Sequence, residues 1–243
     1  MTELEKLGIK IGHYTNLDGL TGATVIIPDN GADIGIDVRG SDTGSINIPA
    51  YEIKGADKTV EAIVLTGGST AGLECSIGVM DYLNSPSVVG AVIYDRKIGK
   101  DERPHLKDGF EMAKNSSYTN LEQGNVGVGT GATTGKWIYK NRLKGGFGIS
   151  IKEISNNVYI GAFVVINSVG DVINPVTKDF YSESGKYNFN NYYNKNFGNN
   201  HIERGTNTTL AVIVTNVEMS REELIKVSEL AQDGMARAVY PVH

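Results

Sequence analysis

Two adjacent threonines, in Gly205-Thr206-Asn207-Thr208-Thr209-Leu210, stand where a polar stretch gives way to an almost wholly apolar run. A Thr-Thr pair opening a strand is commonly β-branched packing and nothing more. Position gives this pair a second reading. A polar loop that delivers a hydroxyl residue to the start of a buried strand is a place where a chain can be cut and its new N-terminus held rigid. The Thr208 hydroxyl is a weak nucleophile until a base sits beside it. A free α-amino group, with an ordinary pKa of about 7.7–8.0, can take that proton near neutral pH. Before any cut, the same hydroxyl can attack the carbonyl of Asn207 to give an ester that water then opens. Nucleophile and self-processing group are then one residue.

Other spacings that resemble known chemistry fail on inspection. Gly127-Val128-Gly129-Thr130-Gly131-Ala132 fits a loose dinucleotide fingerprint, but Leu121-Glu122-Gln123-Gly124-Asn125 before it is no strand. Gly135-Lys136 is followed by Trp137 where a phosphate-binding loop needs Ser or Thr. Gly67-Gly68-Ser69-Thr70-Ala71 lacks the second glycine of a serine-hydrolase elbow, so Ser69 reads as a helix cap. His13, His105, His201 and His243 are scattered, with no metal-ligand spacing. No metal and no cofactor are expected.

The elements that must hold Thr208 in place read as mixed α and β. Ala23 to Ile27 and Ile34 to Val38 look like short strands, and Ala62 to Leu65 and Val88 to Ile93 like strands buried on both faces. Between the latter two, Ser69 to Leu83 predicts a helix with Leu73, Ile77 and Met80 inward and Ser69 or Thr70 as its cap. A second helix is expected over His105 to Lys114. Ile149 to Ile154 and Tyr159 to Ile166 predict a hairpin turning at Ser155-Asn156-Asn157. Gly185 to Asn200, rich in asparagine, reads as a mobile surface loop. Thr208 to Val214 predicts a buried strand, and Ser220-Arg221-Glu222-Glu223 is a capping box opening a helix that runs toward Val239 and stops by Pro241.

Composition narrows the class. With 243 residues the chain suits one large domain. Glycine, at 30 residues, exceeds the usual share of about 7%, as suits tight turns and close backbone approaches around a site. A net charge of -5 gives no footprint for nucleic acid. No apolar run is long enough to span a membrane, and the start MTELEKLGIK lacks a signal-peptide core. Cys75 stands alone, which excludes an internal disulfide. A cytoplasmic protein is expected.

An ordered set of motifs resembles the L-aminopeptidase/D-esterase family of N-terminal-nucleophile hydrolases, to which the β-peptidyl aminopeptidases and the nylon-oligomer hydrolase are related. The set runs Gly12-His13-Tyr14-Thr15, Thr21-Gly22-Ala23-Thr24-Val25, Asp37-Val38-Arg39-Gly40, Leu65-Thr66-Gly67-Gly68-Ser69 with Gly72-Leu73, and Gly127 to Lys136. Gly161-Ala162, Val165-Ile166-Asn167, Asn207-Thr208-Thr209-Leu210 and Asp233-Gly234-Met235-Ala236-Arg237-Ala238 complete it. The resemblance implies an α/β (α+β) four-layer αββα sandwich, N-terminal-nucleophile-like. It implies one hydrolase domain over 1–243, self-cleaved into 1–207 and 208–243. Thr208 is then the nucleophile, with its freed amine as base. Tyr94 and Asn167 fall where the family places oxyanion donors, and Lys136 matches a lysine near the nucleophile. A small peptide or amide substrate and a homo-oligomer, a tetramer by resemblance, follow as expectations.

Two other readings stay open on the same residues. The ornithine acetyltransferases are similar in layout and pass an acyl group to an amine. In the family the chain runs past its Pro-Val-His element into a further strand and an acidic pair that orients the nucleophile. Here Pro241-Val242-His243 are the last residues, which also leaves room for an inactive binding or assembly module.

Overall fold

The computed structural model describes residues 1–40, 44–52, 55, 59–136, 142–181 and 207–242. The loop expected over Gly185 to Asn200 lies outside them, as do His201 and His243.

The chain opens with α1 (Glu3–Leu7), capped by Thr2, and the hairpin β1 (Ile9–Asn16) and β2 (Thr21–Pro28). Nearly every residue of β2 is buried, because it lies inside a sheet covered on both faces. The short β3 (Ala32–Asp33), β4 (Ser45–Ile46), α2 (Ile48–Tyr51) and β5 (Thr59–Val60) follow. Next come β6 (Ala62–Thr66), a single-turn 3₁₀ segment over Ser69–Leu73, α3 (Glu74–Leu83) and β7 (Val88–Val92). Strands β6 and β7 pair in parallel across that helical crossover. The resulting five-stranded sheet has the order β1-β2-β6-β7-β4.

One face of this sheet is covered by α3 and α4 (Leu106–Lys114), with Val25, Val64, Val79, Val88 and Met112 buried between. The two helices approach backbone to backbone. A Cβ at Gly78 would strike the Leu106 carbonyl and one at Gly109 the Cys75 carbonyl. The other face meets a second sheet. After the short β8 (Thr133–Thr134) and β9 (Leu143–Lys144), β10 (Gly146–Ser155) and β11 (Val158–Ile166) form the expected hairpin, and β13 (Leu210–Thr215) pairs with β11. Tyr159, Phe163 and Val165 alternate inward along β11 and meet Ile9, Ile11, Ile26 and Leu65. Full burial of one such side chain contributes about 1.5–3 kcal/mol.

A final helix, Arg221–Ala238, starts at the Ser220–Glu223 capping box. It ends before the two-residue β14 (Val239–Tyr240), which pairs with β12 (Asp171–Val172). Helix, sheet and sheet stack in the order the sandwich reading expects, with the final helix following the last strand of the second sheet.

Four local expectations need correcting. Residues 34–38 form no strand, since regular pairing covers only Ala32–Asp33; Ile34 and Ile36 pack as side chains against Tyr51, Val60 and Val89. In α3 the buried residues are Cys75, Ser76, Gly78 and Val79, whereas Ile77 is exposed. Neither Ser69 nor Thr70 caps a helix through its side chain: Gly68 precedes the 3₁₀ turn with φ 78°, and Ser69 itself has φ 55°. Thr208 stands two residues ahead of its strand rather than in the first position.

Candidate active site

The parallel pair β6 and β7 ends where their chains turn toward the second sheet. Ile93 N–H donates to Thr66 O at 2.8 Å and Ser69 N–H to Ile93 O at 3.1 Å, which fixes the exit of β7. Tyr94 and Asp95 follow at once. From the second sheet, β11 runs out into Asn167, which is fully buried. The segment Gly127 to Lys136 crosses between the two and ends on a lysine.

Asn167 is the meeting point. Its Oδ1 accepts Thr133 N–H at 3.1 Å and Lys136 Nζ at 2.8 Å, and its main-chain oxygen accepts Lys136 Nζ again at 2.8 Å. With Oδ1 held by two donors, Nδ2 is the donor end of the amide, directed to the Tyr94 carbonyl at 3.5 Å. Burial, with the Arg142 charge adding to it, lowers the Lys136 ammonium to about 7. The lysine therefore divides between its charged and neutral forms near neutral pH.

Thr208 lies on the neighbouring chain of the second sheet, two residues before β13. The antiparallel register of β11 and β13 ends at Val165 opposite Leu210. Asn167 lies two residues beyond Val165 and Thr208 two residues before Leu210, at that same end of the ladder. Thr208 also lines a cavity of about 1210 Å³, bounded by Ile63, Leu65 and Val89 of the first sheet, Leu210 of β13 and Met235 of the final helix. That helix has no buried residue.

Of the four residues read from the sequence, Lys136 and Asn167 are in direct contact, Tyr94 joins them through its main chain, and Thr208 stands near the same end of the β11–β13 ladder. Two charged neighbours escaped the sequence reading. Asp95 is buried and accepts Gly68 N–H at 2.7 Å and the Thr21 hydroxyl at 2.8 Å. Lys144 donates to the oxygens of Gly129 at 2.6 Å, Ala132 at 3.0 Å and Gly145 at 3.2 Å. Burial lowers it to about 8. No local signal marked Asp95, whose partners Thr21, Gly68 and Gly131 are remote in sequence.

Fold comparison assigns the architecture. An L-aminopeptidase D-Ala-esterase/amidase from Ochrobactrum anthropi, described as a variant of the N-terminal-nucleophile hydrolase fold, superposes with a TM-score of 0.74. It is 17% identical, and the match covers 99% of this chain and 69% of that one. A Burkholderia β-aminopeptidase gives a TM-score of 0.68 at 16% identity, covering 97% and 67%. The fold is that of the N-terminal-nucleophile hydrolases.

The family follows from sequence. The pattern of Peptidase family S58 matches residues 6–243, and the chain belongs to that family. It is a hydrolase of the peptidase class. An uncharacterized aminopeptidase of Mycobacterium leprae is 30% identical over 97% of this chain and 73% of its own length. A 6-aminohexanoate-oligomer endohydrolase of Paenarthrobacter ureafaciens is 29% identical over 97% and 69%. Among the described residues, no helix is long and apolar enough to cross a membrane.

Proposed function

We propose that this chain is a self-processing aminopeptidase that cuts itself between Asn207 and Thr208 and then removes N-terminal residues from short peptides or related amides. The observation that supports the reading is the β11–β13 ladder, whose last pair, Val165 opposite Leu210, brings the segments leading to Asn167 and from Thr208 to the same end of the second sheet, while Lys136 holds the Asn167 oxygen at 2.8 Å. Before the cut Thr208 has no free amine, so another base must serve. Lys136, lowered to about 7, is available in its neutral form for that step. The hydroxyl then attacks the Asn207 carbonyl, the amide nitrogen leaves as the new α-amine of Thr208, and water opens the ester.

In the processed enzyme that amine takes the hydroxyl proton as Thr208 attacks a substrate carbonyl. Charged Lys136 nearby favours its neutral form, since like charges oppose protonation. Asn167 Nδ2 and the Tyr94 hydroxyl serve as donors to the developing oxyanion, a role for which preorganised groups are effective because they need no reorientation. The two pieces, 1–207 and 208–243, stay together as one domain. A homo-oligomer in the cytoplasm belongs to the same reading.

Denaturing mass measurement of purified protein tests it. Two pieces split after Asn207 are expected, with Thr208→Ala intact and inactive on aminoacyl anilides. A wild-type chain that stays whole through long incubation overturns the reading. Product that forms only when an acceptor amine is supplied replaces hydrolysis by acyl transfer.

A further inference from the structure

Asp95 has no part in the chemistry described so far, yet it is nearly inaccessible to solvent and sits where four chain segments converge. It follows Tyr94 directly at the exit of β7. Thr21, at the start of β2, donates its hydroxyl to Oδ2, and Gly68, in the turn after β6, donates its N–H to Oδ1. Gly67 and Gly131 press against the carboxylate, and a Cβ at either would run into it. Gly131 belongs to the segment that ends on Lys136. One carboxylate thereby touches three separate glycine-bearing motifs of the sequence.

Its charge has consequences of its own. Gly68 N–H and the Thr21 hydroxyl are neutral donors, and burial outweighs them, so the carboxyl is pushed up to about 6. An isolated charge is not left in such a place without compensation. The groups that feel it are Lys136 and Lys144, whose proton affinities it raises against the effect of burial, and Arg96 on its own strand exit. Arg142 acts on Lys136 in the opposite direction. Lys144 in turn clamps the carbonyls of Gly129 and Ala132, on either side of Gly131.

We propose that Asp95 is a positioning residue of this site, a buried counter-charge to Lys136 and Lys144 that also pins the backbone behind Tyr94. The inference rests on the reading in which Tyr94, Lys136 and Asn167 serve Thr208. Without the carboxylate charge, Lys136 binds its proton less tightly and the enzyme holds too little of the cationic form. Asparagine preserves size and the acceptor for Gly68 N–H but removes that charge, so Asp95→Asn separates counter-charge from packing.

The test follows the Lys136 Cε resonance by NMR in protein carrying isotope-labelled lysine, assigned with Lys136→Arg. In Asp95→Asn the Lys136 midpoint falls by roughly half a unit or more relative to wild type. An unmoved midpoint in a folded variant overturns the proposal. Should Asp95→Asn fail to fold, the wild-type curve decides: a second inflection near pH 6, where Asp95 ionises, supports the counter-charge, and a single-proton curve overturns it. Peptidase activity that survives Thr208→Ala would remove the reading of the site instead. It would leave the Lys136 titration to stand or fall by itself.

Discussion

Lys136 Nζ donates to both oxygens of Asn167, side chain and main chain, each at 2.8 Å. A lysine held this way cannot swing to solvent to recover hydration, and burial lowers it to about 7. Self-cleavage is therefore expected to rise with pH through a midpoint near 7, as the neutral amine becomes available. A time course on freshly refolded chain from about pH 6 to pH 8 reads this directly. Lys136→Met is expected to slow cleavage by roughly a hundredfold or more, the usual loss on removing a general base. Cleavage that is flat across that range assigns the base elsewhere.

Asn167 divides its amide between two duties. Oδ1 accepts Thr133 N–H and Lys136 Nζ, while Nδ2 is left as the donor. Asn167→Asp preserves the accepting duty and removes the donating one. In processed enzyme kcat is expected to fall about 10²–10³-fold, the effect of deleting one oxyanion donor. The new carboxylate also pairs with Lys136 and raises its pKa. Steady-state kinetics alongside a thermal melt check both sides: a large loss of kcat with the fold retained supports the donor role, and unchanged kcat removes it.

How much of this was legible depended on what each residue answers to. Strands β2, β6, β7, β10 and β11 were readable because their apolar pattern is set by the sheet faces they occupy. The Ser220–Glu223 box was readable because its bonding partners are three residues apart. The inward face of α3 was misread because it is made of Cys75, Ser76, Gly78 and Val79. Cys75 and Gly78 lie against α4 and Ser76 against Gly90 of β7, and hydrophobic size does not mark such small residues. Ile34 and Ile36 alternate as a strand would, but their partners are side chains of a cluster rather than a neighbouring backbone. Asp95 was invisible for a related reason. Its setting is supplied by Thr21, Gly68 and Gly131, all remote in sequence, and nothing local distinguishes it from a surface aspartate.

His13 links acid stability to the glycine segment. Its Nδ1 lies 2.9 Å from Thr24 Oγ1, which also accepts Val128 N–H at 3.2 Å, and its ring packs edge-on against Phe147. Nε2 is buried without a hydrogen-bond partner among the described residues, and burial lowers the ring to about 4. The native state thus favours neutral imidazole. That contribution is whole above pH 6.5 and is lost as pH falls toward 4, because the unfolded chain takes up the proton first. On the order of 2 kcal/mol is expected to go by pH 5. Urea unfolding at pH 7 and pH 5, compared with His13→Asn, measures it: the variant should lose less stability over that interval, and equal losses would clear His13.

Cys75 is a packing residue in this structure, and its reactivity should say so. It lies on α3, fully buried against α4 in the cluster that covers the first sheet, and its main-chain oxygen lies where a Cβ on Gly109 would fall. Burial pushes the thiol up to about 12, with the negative charges of Asp108 and Glu74 adding to the shift. Since only the thiolate attacks disulfide reagents, a native thiol so shifted reacts at least about a thousandfold more slowly than an exposed cysteine at pH 8. Treatment with a chromogenic aromatic disulfide should therefore release almost no colour from native protein and one equivalent after denaturation. Peptidase activity should be unchanged by the reagent under native conditions. Fast native labelling would show that the α3–α4 contact opens readily, and loss of activity on labelling would place Cys75 in communication with the site.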